Sequence, residues 1–256
     1  MPSVLSKRPL SSEWSSFFHQ LLEITKCGRV GIHHEIDCGP KRQSHSRIIY
    51  SEVEAEDGWV TLRQNGILYS WPFEKVMFAS GNNTERKRMG EIRGNDEFVV
   101  DLYAGIGYFT IPIAVRSGAK HVLCFEINSD SVEALKRNID QNGVADRCEV
   151  ILGDNRITTR QYKDLADRVL LGLLPSSREG WPLAMQILKP TGGMLHVHEN
   201  VHDNEFDSFV SNLTKELEII AQQKGKNLHC SVAHVEKVKS YAPKVFHYVF
   251  DVLCSI

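Results

Sequence analysis

From about residue 94 onward, short apolar runs alternate with amphipathic stretches. EFVVDL (97–102), HVLCFEI (121–127), CEVILGD (148–154), DRVLLGLLP (167–175) and GGMLHVHEN (192–200) read as strands. Between them, YFTIPIAVRSG predicts a helix that tolerates Pro112 near its first turn. SDSVEALKRNIDQNG predicts another, with Val132, Leu135 and Ile139 on one face and Gly143 just past its end. SREGWPLAMQILKP and DNEFDSFVSNLTKELEIIAQQ read as helices, and LHCSVAHVEKVKSYAP and KVFHYVFDVLC as two closing strands. Strands separated by helices require crossovers, so an α/β fold with a mainly parallel, doubly wound (Rossmann-like) sheet is expected.

The first part of the chain has another pattern. Residues 1–12 are polar, with no fixed structure expected. EWSSFFHQLLEITK carries Trp14, Phe17, Phe18, Leu21 and Leu22 at helical spacing. CGPKRQSHSR reads as loop. In GWVTLRQNGILYSWPF two β-rich halves flank Asn65-Gly66, a hairpin signal because both turn positions need positive φ. This divides the chain into a small hairpin-containing segment, 1–76, and an α/β domain, 77–256.

Composition narrows the picture. With 256 residues, 42% of them hydrophobic, the chain has enough for one sizeable domain and an appendage. A net charge of −2 supplies no global field toward nucleic acid, so any RNA contact must come from local patches. Six cysteines, at 27, 38, 124, 148, 230 and 254, form no CxxC pair, so reduced thiols are expected rather than zinc or disulfides, with Cys124 in the core. No apolar run approaches membrane-spanning length and MPSVLSKRPLSSEW lacks a signal-like apolar stretch, so a soluble, cytoplasmic protein is expected.

The chemistry starts at the strand–turn–helix FVVDLYAGIGYFTIPIA. Gly105 and Gly107 fit a dinucleotide-binding turn, but the third glycine position is Thr110. Asp101 before the turn would repel a pyrophosphate and suits an amine-bearing or cationic ligand. Glu126 ends the second strand, nineteen residues after Gly107, where a carboxylate can accept from both ribose hydroxyls. Asp154-Asn155 ends the third strand, where Asp154 can accept from an adenine amino group. These residues in this order suit S-adenosylmethionine. The competing reading is that Glu126 and Asp154 only cap the helices that follow.

With FASGNNTERKRMG, DLYAGIGYFTIPIA, GDNR, LGLLPSSREGWP and VKSYAPKVFHYVFDV, the chain from about residue 50 resembles the tRNA wybutosine-synthesising protein 2 family, relatives of the tRNA guanine-37 N1-methyltransferases. The resemblance implies a class I S-adenosylmethionine-dependent fold. It also implies transfer of the 3-amino-3-carboxypropyl group, not methyl, to C7 of 4-demethylwyosine at position 37 of tRNA(Phe). The expected partner is thus the anticodon region of that tRNA, with S-adenosylmethionine as co-substrate, no membrane, no metal and a monomeric chain. The competing activities are N1-methylation of the same nucleoside and a catalytically silent tRNA-binding module.

The remaining candidate residues fall into place beside that resemblance. Leu173-Leu174-Pro175 follows the fourth strand, where amino-group methyltransferases often place a polar residue before proline. Two leucines give an apolar wall suited to alkylation at carbon, or simply pack the strand end. Asn82 is expected to cap a short helix with Glu85 as capping-box partner. Arg86 and Arg88 then point roughly 200° apart. The family pattern assigns Arg86 to the cofactor's methionine carboxylate and leaves Arg88 for a phosphate or a structural carboxylate; the alternative is a solvated basic face. Ser80 and Asn82 line this entrance. The expected catalytic positions are therefore Arg86, Leu173 and Pro175. The expected cofactor contacts are Ser80, Arg86, Asp101, Gly105, Gly107, Glu126, Asp154 and Asn155. In HVHEN, His196 and His198 point to one face and Glu199 follows, but no third ligand stands at convincing spacing, so no metal is expected; Glu199-Asn200 is a candidate base contact. Trp181 is a core residue or a stacking surface. Lys41, Arg42, Arg47, Lys87, Arg93, Lys237, Lys239 and Lys244 are candidate phosphate contacts or plain surface cations.

Overall fold

The computed structural model describes residues 12–37, 39, 41–53 and 58–256. The polar start lies, but for Ser12, outside the described residues, as does Cys38. The other five cysteines are free thiols, and Cys124 is wholly buried.

The described chain divides into two units, one of residues up to Val60 with Trp71–Met77, the other of Thr61–Ser70 with Phe78–Ile256. In the smaller unit, α1 (Ser12–Thr25) precedes an antiparallel pair, β1 (Arg29–Ile32) and β2 (Arg47–Ser51). These strands went unread because each is short and half-exposed, with no clean alternation to mark it. The hairpin β3 (Trp59–Gln64) and β4 (Ile67–Pro72) turns at Asn65 (φ 52°) and Gly66 (φ 75°), both positive as the turn demands. Its tip, expected in the N-terminal segment, groups with the larger unit. The physical reason is a set of amides on α4 (Ser129–Gln141) and just after it. Asn142 Oδ1 accepts from Leu68 N, Asn138 Oδ1 accepts from Ser70 N, and the Asn142 and Gln141 amides donate to Leu68 O. Side chains thereby do for β4 what a neighbouring strand would.

The larger unit is built on a seven-stranded sheet of order β10-β11-β9-β8-β5-β6-β7. Its strands are β5 (Phe98–Asp101), β6 (His121–Glu126), β7 (Cys148–Leu152), β8 (Arg168–Leu171), β9 (Gly192–His202), β10 (His229–Ala242) and β11 (Val245–Ser255). β5 to β9 run parallel, while β11 joins β9 and β10 joins β11 antiparallel. This is the doubly wound α/β class expected. One face carries Val100, Val169, Leu171, Leu195, Val197, Phe250 and Val252, packed in one core with α6 (Trp181–Ile187) and α7 (Phe206–Gln223). Trp181 is a core residue, 2% exposed, its indole N–H donating to Ser177 Oγ. The other face is more polar and meets α2 (Asn83–Glu91), which reaches Asp251 through Arg88. The helix expected over 108–118 is one α-turn, α3 (Thr110–Pro112), widening into a π-helical turn over Ile113–Ser117. Pro112 has no N–H to give to a regular ladder there.

Candidate functional site

The glycine turn is fastened from three sides. Glu126 Oε2 accepts from Gly105 N at 2.8 Å and Oε1 accepts from Asn128 N at 2.7 Å, which ties the end of β6 to the turn after β5. Burial pushes the Glu126 carboxyl up, against the N–H groups of Asn128, Gly105 and Ile127 that hold it down. The two oxygens offer about four acceptor sites, so three N–H groups still leave room for a further donor. Gly107 sits at φ 94°, and a Cβ there would stand 2.7 Å from Ile111 Cγ1 and 2.8 Å from Leu135 Cδ1, so only glycine lets the turn rest on α4. Thr110, in place of a third glycine, is fully buried and donates to Asp101 Oδ2 at 2.9 Å. Asp101 itself is 0% exposed and also accepts from Tyr103 N. Sequence reasoning faced this carboxylate toward a ligand; the structure turns it inward, where it braces the turn. Burial pushes its pKa up to about 6, although Thr110 and Tyr103 N–H hold it down.

At the end of β7, Asp154 Oδ1 accepts from Arg156 N and caps the short helix α5 (Asn155–Thr158), so the capping reading is realised here. The Arg156 guanidinium also clasps it and lowers its pKa. Asn155 is turned in: its Nδ2 donates to Leu102 O at 2.8 Å and links the ends of β7 and β5. Beyond β8, Leu173 and Leu174 are half-buried and Pro175 is exposed. Glu199 holds the turn that follows, since its Oε1 accepts from Ser176 Oγ, Ser177 N and Ser177 Oγ. That gives Glu199 a bracing role in place of the base contact read from HVHEN.

The segment before β5 departs most from expectation. Asn82 stands at the N-terminus of α2 but makes no capping hydrogen bond, and Glu85 does not reach back to complete a capping box. Glu85 is instead 0% exposed and taken by Arg88, from Nε at 2.8 Å and Nη2 at 2.7 Å. Arg88 also grips Asp251 at 2.5 and 3.0 Å, the structural carboxylate anticipated for it. Arg86 points the other way, as the helical spacing requires, but is only 1% exposed. Its Nε and Nη2 donate to Gln64 Oε1, its Nη1 to Ala79 O and its Nη2 to Ser80 O. Four of five N–H groups are thus spent on the protein, and the open fork expected for a carboxylate is not there. Arg86 instead shapes the Ala79–Ser80 turn; the Ser80 side chain is exposed beside it.

Behind this segment a charged chain crosses the polar face of the sheet. Arg168 grips Glu97 at 2.6 and 2.9 Å and donates Nη1 to His196 Nε2 at 2.6 Å. Arginine can only donate, so His196 Nε2 accepts and its Nδ1 carries the proton given to Asp251 at 2.6 Å. Burial lowers the His196 pKa past what Asp251 restores, consistent with a neutral ring. His198 and His247 pair at 3.0 Å, both wholly buried, and the Phe109 ring of the glycine turn lies 4.9 Å from His198. Among the described residues no group of three or more His, Cys, Asp or Glu could hold a metal ion. Of the candidate phosphate contacts, Lys237 lies over Phe246 and near Asp203, Lys87 pairs with Glu91, and Lys239 is half-buried on the sheet. Gln64, Asp251 and His247 were missed, because each acts through a partner more than twenty residues away.

The chain matches the TRM5/TYW2 methyltransferase domain over residues 60–229. It is 50% identical over 199 residues to tRNA wybutosine-synthesizing protein 2/3/4 of Arabidopsis thaliana, covering 78% of this chain and 20% of that one. It is 42% identical over 238 residues to the wybutosine-synthesizing protein 2 homolog of Danio rerio, covering 81% of this chain and 58% of the relative. The chain therefore spans only part of the length of these relatives. A solved structure of TYW2 from M. jannaschii in complex with AdoMet superposes with a TM-score of 0.71 at 31% identity, over 88% of this chain and 99% of that one. From this match and the glycine-turn sheet that carries it, the chain belongs to the TRM5/TYW2 methyltransferase-domain family.

Proposed function

We propose that this chain binds S-adenosylmethionine at the carboxyl ends of β5, β6 and β7 and transfers its 3-amino-3-carboxypropyl group to C7 of 4-demethylwyosine at position 37 of tRNA(Phe). The observation that carries the reading is the Glu126–Gly105 bond, which presents a half-buried carboxylate with acceptor capacity left beside a side-chain-free turn. A ribose diol is a two-donor partner for such a group. Asp154 would face the adenine side, and Asn155, Asp101 and Thr110 would hold the strand ends in register. Kinship with the wybutosine-synthesizing proteins favours the aminocarboxypropyl group over methyl. The half-buried Leu173 and Leu174 favour a carbon acceptor, since neither side chain can hydrogen-bond an attacking nitrogen.

In this reaction C7 of the base attacks the methylene that joins the aminocarboxypropyl arm to sulfur. The C–S bond breaks, its electron pair stays on sulfur, methylthioadenosine leaves, and the C7 proton is lost to water. Which sulfonium carbon reacts is a matter of positioning. The test is incubation with S-adenosylmethionine and tRNA bearing 4-demethylwyosine, with the small product identified by mass spectrometry. Methylthioadenosine is expected; S-adenosylhomocysteine would mean methyl transfer and sink the reading.

A further inference from the structure

The Ala79–Asn82 turn and the glycine turn are joined by a circuit of contacts with a row of polar groups between them. Ala79 N donates to Tyr108 Oη of the glycine turn at 3.4 Å. Next to it, a Cβ on Gly81 would stand 3.1 Å from Lys239 Nζ and 3.1 Å from its Cδ. Lys239 pairs across the sheet with His247, and His247 with Asn200, so the three side chains share one face. His247 touches His198, which lies against Phe109 and closes the circuit at the glycine turn.

This row is unsatisfied. His247 is 0% exposed, yet its Nδ1 has no hydrogen-bond partner among the described residues. Both polar atoms of the Asn200 amide are buried without a partner among the described residues, and so is Asn82 Oδ1. Buried polar groups are ordinarily paired, so three orphans on the sheet row and a fourth in the turn that meets Lys239 point to a ligand. Arg86 has no fork to offer, and no carboxylate pairs with Lys239 among the described residues. Burial and then Arg86 pull the Lys239 pKa down, which an anion on Nζ would offset.

We propose that Lys239, His247 and Asn200, with the Gly81 turn, hold the α-amino carboxylate end of S-adenosylmethionine, Lys239 Nζ binding the carboxylate. The mixture of groups selects this ligand over a phosphate. Phosphate oxygens only accept, whereas the orphans include acceptors, Asn82 Oδ1 and Asn200 Oδ1, suited to an ammonium, as well as donors. The assignment rests on the cofactor position proposed above and names the residues that would aim the transferable arm.

The test is calorimetric titration of the 256-residue chain and its Lys239→Met variant with two ligands, S-adenosylmethionine and methylthioadenosine, which lacks the amino-acid end. Lys239→Met should weaken S-adenosylmethionine by about tenfold or more and leave methylthioadenosine within about twofold. Lys239→Arg, which keeps the charge, should recover most of the loss. Lys239→Gln serves as a second variant should the methionine chain fold poorly. Equal weakening of both ligands would overturn the proposal, as would an unchanged S-adenosylmethionine affinity. An unchanged cofactor affinity with weakened tRNA binding would make Lys239 a phosphate contact, and overturn it too. Because titration reads binding alone, a finding of methyl transfer would sink the reaction proposed above and leave this site standing.

Discussion

Asp101 and Asp251 stand in one row across the sheet, linked through the register pairs Asp101–Leu170, Leu170–His196 and His196–Asp251. Both are buried, yet their carboxyls move in opposite directions. Among the described residues Asp101 has no cation against it; burial pushes it up to about 6, and neutral donors from Thr110 and Tyr103 hold it only partly back. Asp251 is also pushed up by burial, but His196 and the bidentate Arg88 outweigh that and leave it well below the ordinary range. Burial sets the cost of a charge, and the neighbours decide whether the charge is kept. The β9–β11 half of this face is locked by paired charges, while the glycine-turn half is braced by neutral donors and keeps spare acceptors at Glu126.

The largest effect should come from unlocking the charged half. Arg88→Met strands Glu85 and Asp251 inside the fold, and urea denaturation should show a loss of about 3–5 kcal/mol. A loss near zero would mean the pair is not locked as described. Next comes the opposite sign at Asp101. Its folded pKa lies above its ordinary 3.8, so the stability tied to this group is full below that value and is lost as pH rises through about 6. Asp101→Asn should abolish that loss. Between pH 4 and pH 7 the stability of the natural chain should therefore fall relative to the variant by on the order of 2–3 kcal/mol, read from paired denaturation curves. Asp251 runs the other way, its contribution being present above 3.8 and lost as pH falls.

A third change bears on binding. Glu126→Ala should raise the S-adenosylmethionine dissociation constant at least several-fold, the lost hydrogen bonds being worth about 1.5–3 kcal/mol; an unchanged constant ends the ribose assignment. The smallest effect is a control on the same loop. Asn128 caps α4 by accepting from Asp130 N, so Asn128→Ala should cost about 1 kcal/mol of stability. Its backbone N–H to Glu126 remains, so cofactor affinity should hold; a parallel fall in affinity would show that the two residues act as one unit.

Local pattern carried most of the fold. The runs that became β5 to β11 each had a period, a length and a boundary that neighbouring residues alone could state, and Asn65-Gly66 named its own turn. The glycine turn and the carboxylates at 126 and 154 were likewise legible, because a strand end, a missing side chain and an acid at fixed spacing are local facts. What a carboxylate or guanidinium faces is not local. Asp101 turned inward because Thr110 was there to meet it, and Arg86 was spent because Gln64 came back across the hairpin. The capping box failed to close because Arg88 claimed the Glu85 carboxylate. The sequence by itself determined the strands of the large sheet, the hairpin, most of the longer helices and the kind of edge at which a nucleoside could bind. Only the tertiary structure decided which charges are paired and which stay open, since pairing depends on groups brought together from residues as far apart as 88 and 251.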